Sequence, residues 1–75
     1  MSIAFRPTPA REAAWAAMHQ ANLVEADAEA ALAQALDYLA THRRPDVYAR
    51  VEHARAALRT ARRAARLADA RWIRA

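Results

Sequence analysis

The chain of 75 residues contains no glycine, no cysteine and no lysine. Without cysteine it forms neither a disulfide nor a thiolate metal site, and without glycine it has no glycine-rich loop to bind a phosphate. No apolar stretch approaches the roughly 18 residues of a membrane span. The first ten residues also lack the basic start and apolar core of a signal peptide. These absences predict a cytoplasmic protein that does not bind membranes.

Alanine dominates the residues that are present. There are 24 alanines, whereas Leu, Ile, Val, Phe, Met and Trp together number 16. Alanine strongly favours helix, but it buries little area, so a core built largely from it is thin. The composition therefore predicts an all-α protein near the lower size limit for independent folding, which gains stability from a partner.

Charge is distributed unevenly along the chain. Residues 1–41 carry two Arg and five acidic residues, a net charge of −3, whereas residues 42–75 carry ten Arg and three acidic residues, a net charge of +7. Such an asymmetry is typical of a basic segment that binds nucleic acid or an acidic partner. It is equally typical of a basic arm that pairs with an acidic arm of the same chain.

Two long helices are predicted from their starting residues. Thr8 is a good N-cap, and Pro9 suits the first helical position, where its missing N–H costs nothing. Pro45 suits the start of a second helix for the same reason. With no glycine or further proline to interrupt them, the helices are expected to reach about residue 40 and about residue 73.

The apolar residues of both predicted helices recur at alternating steps of three and four, which is a heptad pattern. If the chain turns back at residues 40–46, positions whose numbers sum to 86 face each other. Ala35 then meets Val51, and Ala28 meets Leu58. Most layers set a large side chain against a small one, as in close-packed helices.

This register predicts an antiparallel helical hairpin, a short two-stranded coiled coil. We expect one hairpin domain over residues 9–75, preceded by an extended N-terminal segment at residues 1–8. The alternative is a pair of amphipathic helices that dock separately on another molecule. The predicted seam comprises Ala14, Met18, Ala21, Glu25, Ala28, Leu32, Ala35 and Leu39 in the first helix and Val47, Val51, Ala54, Leu58, Ala61, Ala65, Ala68 and Trp72 in the second.

Glu25 is the exception on this seam, because a carboxylate stands where an apolar side chain is expected. Arg62, next to the layer partner of Glu25, could pair with it at the edge of the seam. Alternatively the first helix breaks near Asn22, which leaves a short extra N-terminal helix ahead of the hairpin. The sequence leaves both arrangements open.

A second apolar row lies outside the seam of the first helix, at positions seven residues apart. Small residues in such a row leave a shallow groove into which another helix can pack closely. We therefore predict that the row binds a helical protein partner, or mediates self-association into a helical bundle. The alternative is that its alanines serve only as helix formers. The row consists of Ala17, Val24, Ala31 and Tyr38.

No arrangement of residues suited to catalysis is visible in the sequence. His19, His42 and His53 have no metal-ligand spacing, and no Ser or Thr has a base at an obvious spacing. Glu25 and Glu29 share a helix face, but a paired-carboxylate site needs a cleft that a hairpin lacks. We predict a non-enzymatic protein without a metal, a cofactor or a small-molecule substrate.

The arginines of the second helix give the alternative function, which is nucleic-acid binding. No helix-turn-helix, zinc-finger or RNA-recognition pattern accompanies them, and no aromatic residues interleave with them. In the hairpin they face the side of Glu25 and Glu29, so a solvated or intramolecularly paired face is favoured over a nucleic-acid site. The arginines on this flank are Arg55, Arg59, Arg62 and Arg66.

Residues 28–60 contain the spacing Leu32-x6-Leu39, the corner Pro45-x-x-Tyr48 with Val51 after it, and the pair Ala57-Leu58. In these features the segment resembles the small helical-hairpin chaperones of bacterial type III secretion, the YscE/PscE-like family. That family is similar in length and often has glycine at the corner, where this chain has THRRP.

The resemblance implies a bacterial cytoplasmic co-chaperone. Such a protein pairs with a tetratricopeptide-like partner and helps keep the needle subunit from polymerising before export. The resemblance also implies that Tyr48, Val51 and Leu58 pack within the hairpin rather than contact a partner.

Overall fold

The computed structural model describes residues 8–75, and these residues form a hairpin of two α-helices. Helix α1 spans Pro9–Thr41 and helix α2 spans Pro45–Arg74. The predicted all-α hairpin is confirmed, and both helices end within one residue of the expected positions. Of the predicted extended segment, only Thr8 is described, and the rest lies outside the described residues.

The start of α1 follows the predicted capping pattern. Thr8 has extended backbone angles, with φ −71° and ψ 156°, and its Oγ1 accepts a hydrogen bond from the backbone N–H of Arg11 at 3.1 Å. Pro9 occupies the first helical position, and Glu12 lies in the first turn. A carboxylate there interacts favourably with the positive end of the helix dipole.

The corner at residues 42–44 turns the chain without glycine. The backbone N–H of His42 donates to the carbonyl of Tyr38 at 3.0 Å, which closes the last turn of α1. Arg44 is extended, with φ −123° and ψ 154°, because a residue before proline is sterically excluded from helical geometry. No residue from 8 to 75 has a positive φ, so the corner has no position that requires glycine.

The seam is where the two helices bury side chains. All its predicted positions are buried or half-buried. Val47, Val51 and Leu58 are the only buried residues larger than alanine in the described part of the chain. The core is therefore as thin as the composition predicts. The buried residues are Ala35, Val47, Val51, Leu58, Ala61, Ala65 and Ala68.

Contacts between the helices agree with the predicted register. The Arg62 Nε lies 3.9 Å from the Glu25 Oε2, and the Arg11 guanidinium lies over the Trp72 ring at 5.0 Å. Helix α1 passes Asn22 without interruption. Of the two arrangements that the sequence leaves open, the pairing of Glu25 with Arg62 is thus confirmed, and the break near Asn22 with a short extra N-terminal helix is wrong. The ion pair lets a carboxylate that is 28% exposed stay on the seam.

Tyr48 corrects one implication of the family resemblance. Val51 and Leu58 are buried as implied, but Tyr48 is exposed. An α-helix turns by about 100° per residue, so a residue that directly follows the buried Val47 points to the side of the seam. Tyr48 is therefore a surface residue next to the corner.

Glu25→Leu is expected to raise the free energy of unfolding by about 1 kcal/mol, because an apolar side chain on a half-buried seam outweighs a partly solvated ion pair. In this variant Arg62 still forms an ion pair with Glu29, whose Oε1 lies 3.8 Å from the Arg62 Nη2. Thermal melting should show a midpoint several degrees higher. The control Glu29→Leu, at a more exposed position, should give no gain. A lower midpoint for Glu25→Leu would mean that the ion pair stabilises the hairpin more than seam packing does.

Candidate interaction surfaces

The hairpin is a rod only two helices thick and about 50 Å long, since its longer helix has 33 residues at about 1.5 Å each. Between residues 8 and 75 no group of three or more His, Cys, Asp or Glu side chains could hold a metal ion. Neither helix is long and apolar enough to cross a membrane. The rod therefore offers its exposed helix faces as candidate sites.

The histidines lie on the surface, two of them against aromatic rings. His19 stacks on Trp15 with ring centroids 5.1 Å apart, and His42 stacks on Tyr38 at 4.0 Å. His53 is exposed. Among the described residues, none of the three belongs to a group of three or more side chains that could hold a metal ion.

More large apolar side chains are exposed than buried in the described residues. Three are buried, whereas eight remain largely in contact with solvent. A two-helix hairpin has one seam and leaves the other faces of both helices open, so this excess follows from the architecture. The exposed residues are Trp15, Leu23, Val24, Leu36, Tyr38, Tyr48, Leu67 and Ile73.

The second apolar row is fully on the surface of α1. Ala17 and Ala31 are exposed, Val24 is 46% exposed and Tyr38 is 38% exposed. Tyr38 is also engaged within the chain, because His42 stacks on its ring and its hydroxyl accepts a hydrogen bond from the Arg44 Nη2 at 3.5 Å. The open part of the row is therefore Ala17, Val24 and Ala31, and Tyr38 marks its end near the corner.

Helix α2 extends this row on the same side of the hairpin. Val24 and Glu29 are five residues apart, which places them about 140° apart around α1, on opposite sides of the seam. Glu29 contacts Arg62, so Arg62 lies on the side of the seam opposite Val24. Ala57 precedes Arg62 by five residues and therefore lies about 140° away around α2, on the same side of the hairpin as Val24. Ala57 thus borders the row. We call the combined surface the alanine flank, formed by Ala17, Val24, Ala31 and Tyr38 of α1 and Ala57 and Ala64 of α2.

The four arginines on the opposite flank are not equivalent. Arg62 contacts both Glu25 and Glu29, at 3.9 and 3.8 Å. The Arg55 Nε lies 3.9 Å from the Oε1 of Glu52, one turn earlier on α2. Arg59 and Arg66 have no carboxylate within 4.0 Å among residues 8–75. The predicted intramolecular pairing with α1 therefore holds for Arg62 alone.

Arg63 joins the unpaired arginines, although the sequence analysis did not assign it to a surface. A shallow depression of about 410 Å³ on α2 is lined by arginines and one leucine. The spacing of four and then three residues along α2 is the signal that groups Arg63 with Arg59 and Arg66. The lining residues are Arg59, Arg62, Arg63, Arg66 and Leu67.

No family model matches the chain, and neither a curated protein nor a solved structure matches it. The resemblance to type III secretion chaperones therefore stays a prediction. The two surfaces just described, the alanine flank and the arginine-lined depression, are the structural basis for assigning a function.

Proposed function

We propose that this protein is a non-enzymatic interaction module whose alanine flank packs against a helix of another protein. The exposed, uncharged row of Ala17, Val24 and Ala31 on α1 carries this proposal. A partner helix on the flank would bury Val24 and restore apolar contacts that the hairpin alone cannot make. Small residues on the flank also let two helix backbones approach to the short end of the usual 8–10 Å.

The charges around the alanine flank indicate the kind of helix that fits it. Between Ala17 and Ala31, about 21 Å along the helix axis, the flank itself is uncharged. Arg50 and Arg71 continue the seven-residue spacing of Ala57 and Ala64 at either end of α2. A helix with an apolar centre and acidic ends would complement this pattern. The net charge of +4 also favours an acidic partner over a second copy, because two copies repel each other.

We further propose that the module is a co-chaperone of type III secretion in the bacterial cytoplasm. In this role its helical partner is a tetratricopeptide-like protein, and the pair helps keep the needle subunit unassembled. The resemblance over residues 28–60 supports this role, as does the burial of Val51 and Leu58 that the resemblance implies.

Site-specific photo-cross-linking tests the alanine flank directly. A photoreactive phenylalanine analogue replaces Val24 on the flank or, as the control, Leu23. Both residues are exposed to a similar extent, but Leu23 lies one position away, on the outer face of α1. In cells of the native host, we expect Val24 to yield one predominant cross-link to a helical protein and Leu23 to yield little. Equal cross-linking from both positions would show that the flank is not the docking surface.

A further inference from the structure

We propose that Arg59, Arg63 and Arg66, which we call the arginine triad, bind the phosphate backbone of a double-stranded nucleic acid. The triad lies on the outer face of α2, away from the alanine flank. This inference therefore does not depend on the proposed protein partner.

The triad is the part of the arginine surface that the hairpin does not neutralise. Arg62 and Arg55 are held by glutamates, whereas the three triad side chains have no carboxylate within 4.0 Å among residues 8–75. No acidic residue occurs between residues 53 and 68. Folding therefore leaves three guanidinium groups on successive turns of α2 that no carboxylate contacts.

The spacing of the triad suits a regular row of phosphates. Arg59 and Arg63 are four residues apart and Arg66 follows after three more, so the side chains leave α2 on one side in successive turns. Arg59 and Arg66 are about 10 Å apart along the helix axis. One strand of a duplex carries a phosphate every 3.4 Å or so along its axis, so this span corresponds to about three phosphates. Each guanidinium can donate two parallel hydrogen bonds to a phosphate.

The lining of the depression favours a duplex backbone over other acidic ligands. It contains no aromatic ring, whereas proteins that hold single strands stack bases on aromatic side chains. Leu67 is its only apolar residue, so an acidic protein helix would find little apolar surface to bury there. A shallow arginine-lined surface matches sequence-independent contact with phosphates.

Fluorescence anisotropy with a labelled duplex of about 20 base pairs tests the triad, since three phosphate contacts predict a slope of about −2.7 for log K against log salt. The triple variant Arg59→Gln, Arg63→Gln, Arg66→Gln should bind at least about tenfold more weakly and lose most of that slope. The control triple variant Arg43→Gln, Arg50→Gln, Arg71→Gln removes the same charge from exposed positions elsewhere. It should lose no more than about threefold, because it removes only long-range attraction. Circular dichroism should show both variants folded.

Three results would overturn the proposal. If both triple variants lose affinity equally, binding reflects net charge and not a site. If polyglutamate displaces the duplex when both are present at the same concentration of negative charge, the surface recognises acidic protein, and the proposed nucleic-acid ligand is wrong. If the wild-type protein fails to bind the duplex even at about 50 mM salt, where phosphate contacts are strong, the triad is only a solvated face.

Discussion

Leu58→Asp is expected to unfold the hairpin. Leu58 is 6% exposed and is one of only three buried residues larger than alanine in the described chain. In the predicted register it faces Ala28 of α1, which offers the new carboxylate no partner. Burial of an unpaired charge costs several kcal/mol. A hairpin of this size has only about 3–5 kcal/mol of stability to lose.

The control for this experiment is Leu67→Asp, which makes the same change nine residues further along α2. Leu67 is 56% exposed, so its substitution should change the free energy of unfolding by no more than about 0.5 kcal/mol. Circular dichroism of the two variants and the wild type, each alone, gives the comparison. An unchanged melting curve for Leu58→Asp would remove Leu58 from the core and with it the predicted register.

The helices and their seam could be predicted from the sequence because both depend on local rules. Thr8 and the prolines at positions 9 and 45 determine where the helices begin, since capping and the geometry of proline act within a few residues. The heptad spacing then determines which faces meet. The register followed from the position of the corner, because a turn at residues 40–46 pairs positions whose numbers sum to 86. Most of the resulting layers set a large side chain against a small one.

The details that the sequence did not determine depend on distances between side chains. Glu25 was compatible with a broken helix or with an ion pair. The unbroken course of α1 past Asn22 and the 3.9 Å separation from Arg62 decide between them. The arginine flank looked uniform because spacing shows that Arg55 and Arg59 lie near each other but not which has a carboxylate in reach. The sequence did not group Arg63 with Arg59 and Arg66 because it lies about 100° around α2 from Arg62, and spacing alone does not show that one depression includes both residues.

On the alanine flank, Tyr38 is another residue whose contacts the sequence did not determine. Its position in the second row follows from the seven-residue spacing, but its contact with His42 depends on how α1 ends at the corner. The stacked imidazole covers one side of the ring and fixes its position. The exposed edge of Tyr38 can therefore meet a partner without first losing side-chain freedom, which lowers the entropic cost of association.

The structure places the two proposed surfaces on different sides of one thin rod. The alanine flank lies on one side of the seam, and the arginine triad lies on the outer face of α2. Because they share no residue, a helical partner and a duplex could be bound at the same time. Substitutions on one surface should therefore leave binding at the other unchanged, as expected for sites without shared contacts.

Ala31→Arg is expected to abolish association through the alanine flank while the hairpin stays folded. Ala31 is exposed between Val24 and Tyr38, and arginine is nearly as good a helix former as alanine. The free energy of unfolding of the isolated hairpin should change by no more than about 0.5 kcal/mol, as for ordinary surface positions. A closely packed partner helix, however, has no space for the long charged side chain.

The matched control is Ala30→Arg, which adds the same side chain one position earlier, on the outer face of α1. Ala30 is exposed as well, so both variants have the same net charge and nearly the same helix propensity. Sedimentation and pull-down of the wild type and both variants should show association lost only for Ala31→Arg, because only that side chain lies between the hairpin and its partner. If Ala31→Arg associates as well as Ala30→Arg does, the alanines of the flank serve only as helix formers and the partner binds elsewhere.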